Sequence, residues 1–123
     1  MTTLKSVLLK RLCWALGLSM LTAHAHAGYA ENVGIVRVHT KSNGFAYVWT
    51  SAPPSDTCNW YAEHFRFDAT TPAGKAMLAN LLVAQALNKP FTVWYTPATA
   101  PGTNQDNGCT ETGLAVVTGI AQR

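Results

Sequence analysis

The residues of this chain that could do chemistry are Cys58 and Cys109, His39 and His64, a handful of carboxylates and a dense set of aromatic rings. The carboxylates are Glu31, Asp56, Glu63, Asp68, Asp106 and Glu111. General acid–base work on a glycosidic bond needs two carboxyl groups facing each other across a cleft, and nothing in this spacing pairs two of them. Glu63 alone lies within an aromatic run, where Arg37 or Arg66 would be its cross-strand partner. There is no G-x-S-x-G, no H-E-x-x-H and no phosphate-binding loop. No catalytic residue is assigned, and the chain reads as a non-enzyme.

The two cysteines could act as metal ligands, a reactive thiol or a disulfide. A metal site would have to draw on Cys58, Cys109, His64 and His39, which lack the C-x2-C or H-x3-H spacing of such sites. A lone strand histidine is more often a hydrogen-bonded or surface residue than a ligand. Neither cysteine has a histidine beside it in a setting that would activate a thiolate. Cys13 falls in the expected N-terminal export signal, so an even pair remains, which predicts one disulfide, Cys58–Cys109. No metal and no cofactor are expected.

The rings are the other candidates: Phe45, Tyr47, Trp49, Trp60, Tyr61, Trp94 and Tyr95. Sugars and peptides bind on exposed aromatic surfaces, where C–H faces stack on the ring and hydroxyls reach polar tips. Phe45, Tyr47 and Trp49 alternate with Ala46, Val48 and Thr50, so the two sets point to opposite faces of one strand. The small set suits a tight barrel interior. Tyr47 and Trp49, with Trp94, are therefore expected outside, on a binding or subunit surface. Adjacent Trp94 and Tyr95 cannot both face inward.

The elements that must position these groups follow from the local pattern. Gly34 to Thr40 and Phe45 to Thr50 read as strands, joined at Asn43-Gly44 in a hairpin whose turn residues tolerate positive φ. The segment 51–57 contains Pro53 and Pro54 and is a loop. A third strand is expected from Trp60 to Phe67. Thr71 then Pro72 is a helix start, a hydroxyl N-cap before a residue whose missing N–H costs nothing. The helix runs from Ala73 to Leu87, with Leu78, Leu81, Leu82, Gln85 and Ala86 on its inner stripe and Met77, Val83 and Leu87 widening it. Asn88 and Pro90 end it. Strands at Phe91 to Thr96 and Gly113 to Ala121 flank a polar loop that carries Cys109. The order β-β-β-α-β-β is that of a mainly-β, five-strand OB-like barrel with one helix, and a flat sheet with one covering helix is the alternative.

The N-terminal segment reads as an export signal: Lys5, Lys10 and Arg11, then an apolar run from Leu12 to Ala23, then Ala25-His26-Ala27. The run is shorter than the roughly 20 residues a bilayer span needs. Residues 1–27 are thus expected to be a signal peptide cut after Ala27, or after Ala30. Residues 28–123 would form a single domain, secreted or periplasmic and with no membrane attachment once cut. Of the 9 Lys and Arg residues, Lys5, Lys10 and Arg11 leave with the signal, and the remaining six balance the 6 acidic residues. Those six are scattered, which disfavours a nucleic-acid partner.

The stretch FRFDATTPAGKAMLANLLVAQ (65–85), the later NKPFTVWY (88–95) and the flanking Cys58 and Cys109 resemble a group of small secreted bacterial proteins related to the subtilase-cytotoxin-type B subunits. The resemblance implies an OB fold, glycan binding and a homo-oligomer. The glycan-binding subunits carry a serine near the start of the first strand, where this chain has Val33 beside Gly34, so the sialoglycan site does not carry over. The expectation is an exported, non-catalytic module recognising a glycan or protein ligand. The alternative is a structural or inhibitory envelope protein with one protein partner.

Overall fold

A computed structural model describes residues 27–122. The expected signal peptide lies outside these residues except for Ala27. Six strands and one long helix are present among them: β1 (Gly28–Val33), β2 (Ile35–Thr40), β3 (Phe45–Thr50), β4 (Phe65–Asp68), α1 (Pro72–Ala86), β5 (Phe91–Thr96) and β6 (Ala115–Gln122). The strands form one mixed sheet in the order β1-β5-β6-β4-β3-β2. Every pairing is antiparallel except β4 with β6.

This corrects the expected closed barrel of five strands. The mainly-β class, the helix and the disulfide hold, but the sheet is open and has a sixth strand. The physical reason lies at Gly34. It separates β1, which pairs with β5 at one edge, from β2, which pairs with β3 at the other. Strands joined end to end cannot form a ladder with each other, so the two edges meet through the chain and not through hydrogen bonds. Strand β1 was not expected at all. Gly28, Glu31 and Asn32 are poor strand formers, and Asn32 adopts φ 54° where the register with β5 slips.

The third strand is also shorter than expected. Residues 60–63 form a tight turn closed by Trp60 N–H to Glu63 O at 2.9 Å and Glu63 N–H to Trp60 O at 2.8 Å. Tyr61 and Ala62 sit at φ 45° and 72°, a region uncommon for residues with a Cβ. The side-chain carbonyl of Asn59 accepts the Ala62 N–H at 2.7 Å and helps to hold the turn. In the β2–β3 hairpin, by contrast, Gly44 alone takes positive φ, at 83°. Asn43 serves the turn with its side chain, whose Oδ1 accepts the Phe45 N–H at 3.0 Å.

Helix α1 begins as expected. Thr71 is extended and its hydroxyl accepts the Gly74 N–H at 2.9 Å, with Pro72 in the first turn. Thr71→Ala should therefore lower stability by about 1 kcal/mol in a denaturant melt; an unchanged midpoint would contradict the cap. At the other end Asn88 takes φ 50° and donates to Gln85 O at 3.1 Å, while Lys89 donates to Ala84 O at 2.9 Å. That is a left-handed terminus of the Schellman type. The buried face is rotated from the expected stripe: Gly74, Leu81 and Ala84 are buried, with Met77 and Leu78 partly so, whereas Leu82, Val83 and Leu87 face solvent. No charged residue lies between Lys75 and Lys89, so polarity gave no contrast to fix the phase.

The helix closes the main core over the inner face of the sheet, where Val48, Phe65, Phe67, Phe91, Val93 and Val117 pack with Leu81. A second, smaller core forms on the opposite face of β3. Tyr47, Leu114, Ala98 and the cystine of Cys58 and Cys109 meet there.

Candidate functional site

The second core decides the fate of the rings on β3. Phe45, Tyr47 and Trp49 do point away from the main core, since Ala46 and Val48 fill it. Tyr47 is nonetheless fully buried, which corrects its expected place on a surface. The loop after β5, drawn in by Cys58–Cys109, roofs this part of the sheet. The Tyr47 hydroxyl donates to Glu111 at 2.7 Å and accepts from Asn43 Nδ2 at 3.0 Å. The His39 ring stacks on Tyr47 at 5.8 Å between centroids, and Lys41 Nζ stands 4.0 Å from the Tyr47 ring centre. Burial pushes the Tyr47 phenol up.

Around Tyr47 lies a polar cluster of His39, Lys41, Asn43, Glu63 and Glu111. Glu63 is buried and takes His39 Nε2 at 2.8 Å and Lys41 Nζ at 2.9–3.0 Å. Lys41 also reaches Glu111 at 3.0 Å. Glu63 thus pairs with His39 and Lys41, not with Arg37 or Arg66; Arg66 lies over the Phe45 ring instead, at 4.8 Å. The tight turn at 60–63 is what sends Glu63 across to the hairpin. Burial pulls the Lys41 ammonium down, but its hydrogen bonds to Glu63 and Glu111 more than offset this and the net shift is upward. Hydrogen bonds from Tyr47 and Lys41 hold the Glu111 carboxyl below the usual range. Two carboxylates sharing one ammonium are both charge-paired. The arrangement ties the hairpin, the turn and the short helical turn Glu111–Gly113 together.

Trp94 and Trp49 are on the surface, on β5 and β3. Trp94 is 42% exposed while neighbouring Tyr95 is buried in the core, edge-on to Phe65, as strand alternation requires. The Tyr95 hydroxyl bonds Asp56, and burial together with that carboxylate pushes its pKa up. Trp94 stands opposite Tyr29 on β1 and opposite Gly119 on β6. The Tyr29 and Trp94 rings lie 5.4 Å apart, tilted by 52°. On the other flank the indole lies over Gly119, where an added Cβ would come within 3.3 Å of it. The three strands therefore present an indole and a phenol side by side, with Glu31 bonded to the Tyr29 hydroxyl. Thr96 shares the Trp94 face two residues on and is exposed, as is Thr118, the extra residue at the β5–β6 bulge. Trp49 lies on β3, which is separated from β5 in the sheet order by β6 and β4.

Tyr29 was missed in the sequence because it falls beside the expected cleavage sites and in a strand of poor local propensity. Its pairing partner Trp94 was the one signal available.

Cys58 and Cys109 are bonded, with Cα atoms 5.8 Å apart. A disulfide is the mark of an oxidising, non-cytosolic environment. Among the described residues no group of three or more His, Cys, Asp or Glu side chains could hold a metal ion, and no helix is long and apolar enough to cross a membrane. No protein family, curated protein or solved structure matches this chain.

Proposed function

We propose that this chain is an exported, non-catalytic binding module that recognises a glycan on the ring face of Trp94 and Tyr29. The observation that carries the reading is the in-register trio Tyr29, Trp94 and Gly119. It offers a broad apolar ring surface whose neighbours, Thr96, Thr118 and Glu31, are polar. Sugar rings need both: C–H faces to stack and hydroxyls to satisfy.

Export rests on the N-terminal sequence and is supported by the disulfide. Cleavage after Ala27 leaves all of β1 in place, whereas cleavage after Ala30 would remove Tyr29 and most of the pairing with β5. The helix between β4 and β5 supports an OB-like chain course in a partly open form. Together with the quoted motifs, it supports kinship with the subtilase-cytotoxin-type B subunits.

Trp94→Ala should leave folding intact and weaken glycan binding by more than about 1 kcal/mol, roughly fivefold in Kd. Titration followed by calorimetry checks this. Equal affinity in the variant would contradict the site. A second reading, an envelope protein holding one protein partner, is favoured by a different observation. Leu82, Val83 and Leu87 form an exposed apolar helix face of the kind that marks protein contacts.

A further inference from the structure

A recess lies between the Pro53–Pro54 loop and the Gly102–Thr103 turn, with a volume of about 210 Å³. His64 lines it and is only 4% exposed. Its Nδ1 accepts the backbone N–H of Thr50 at 3.1 Å and lies 3.0 Å from the Thr50 hydroxyl. Those contacts occupy the Nδ1 lone pair and leave the ring proton on Nε2. Thr50 does not line the recess, so the Nδ1 edge of the ring is turned away from it. Nε2 has no hydrogen-bond partner among the described residues. Among the described residues the enclosed side-chain atoms without a partner are His39 Nδ1 and Arg66 Nε, so the His64 Nε2–H is open to the recess and not sealed off from it.

We propose that this recess is a ligand site for one neutral, hydroxyl-bearing ring, with the Nε2–H of His64 as one of its donors. The lining chemistry sets the class. Asn59 Oδ1 is taken by the Ala62 N–H at 2.7 Å, so its NH2 is the end left to donate. The Thr57 and Thr103 hydroxyls each donate to a backbone carbonyl at 2.6 Å, to Pro54 and Ala100, and keep their oxygens as acceptors. Donors and acceptors are thus both offered, which a ring of hydroxyls matches. Pro53, Pro54 and Cys58 supply apolar walls for its C–H edges.

No lining residue is a lysine, arginine or carboxylate, and burial lowers the His64 pKa so that its ring is neutral. A charged ligand would lose its hydration without a counter-charge. The volume falls below the roughly 300–1,000 Å³ of drug-sized sites, which limits the occupant to one ring. This site is independent of the Trp94 face: its lining residues lie outside the named strands and include no aromatic ring but the His64 imidazole.

The test is a nuclear magnetic resonance titration of the purified protein, reading the His64 ring and the Gly102 amide. The probes are methyl glycosides of neutral hexoses, free myo-inositol, and the methyl glycoside of N-acetylneuraminic acid as the anionic control. The expected result is a saturable shift at both positions with a neutral probe, unchanged in Trp94→Ala. A response to the glycosides alone would assign the glycan end, and one to inositol as well a free polyol. His64→Asn keeps an acceptor for the Thr50 N–H but removes the Nε2 donor, and should weaken the Gly102 response about tenfold or more. Thr103→Val, on the opposite wall, should weaken it as well. No saturable shift with any neutral probe, tighter binding of the anion, or wild-type affinity in both variants would overturn the proposal.

Discussion

Serine at either Cys58 or Cys109 is expected to cost about 4 kcal/mol of folding stability, because each opens the same long loop. The bond joins residues 51 apart in sequence, and the chain-entropy estimate for a loop of that length gives the figure. A small domain has a single limited core and a total stability of roughly 5–15 kcal/mol, so the loss is a large share of the whole. A packing effect adds to it. The cystine is part of the second core that roofs Tyr47, so the loop that carries Cys109 would lift from β3. Denaturant midpoints of the two variants should fall together, and reduction of the wild type should reproduce them. The oxidised wild type should show no free thiol in denaturant. Two reactive thiols, or a large difference between the variants, would contradict this.

Leu81→Ala and Leu82→Ala are expected to part sharply although the residues are neighbours. Leu81 is 0% exposed and packs into the main core, whereas Leu82 is 46% exposed. The first should cost roughly 2–5 kcal/mol, the range for removing a buried leucine side chain. The second should fall within about 0.5 kcal/mol of wild type, as surface substitutions do. Thermal or denaturant unfolding of both distinguishes them directly. Equal losses would mean that the outer helix face is covered in the native protein, most simply by a partner or a second copy.

Much of the fold was legible because its signals are local. Thr71-Pro72 and Asn88-Lys89-Pro90 mark the helix through capping chemistry that needs nothing from elsewhere in the chain. Phe91 to Thr96 is dense in β-branched and aromatic residues, and with Cys13 in the expected signal Cys58 and Cys109 had only each other. What could not be read depends on tertiary contacts. The phase of α1 is set by which side meets Phe65 and Val93, and an Ala- and Leu-rich helix carries little polarity contrast to announce it. The turn at 60–63 places two residues with side chains at positive φ, which local propensity argues against. Tyr47 was assigned to the outer face correctly, yet outer did not mean exposed, since a loop some 60 residues later in the chain covers it. Glu63 stood out in the sequence as unusual, but its partners His39 and Lys41 could be found only once the turn was known.

A glycan array probed with wild-type protein, Trp94→Ala and Trp49→Ala tests the central claim most directly. The account predicts that the wild type binds a discrete set of glycans, that Trp94→Ala loses that set, and that Trp49→Ala, whose ring lies on a different strand, retains it. Wild-type protein that binds no glycan, or a Trp94→Ala variant with an unchanged binding profile, would contradict it.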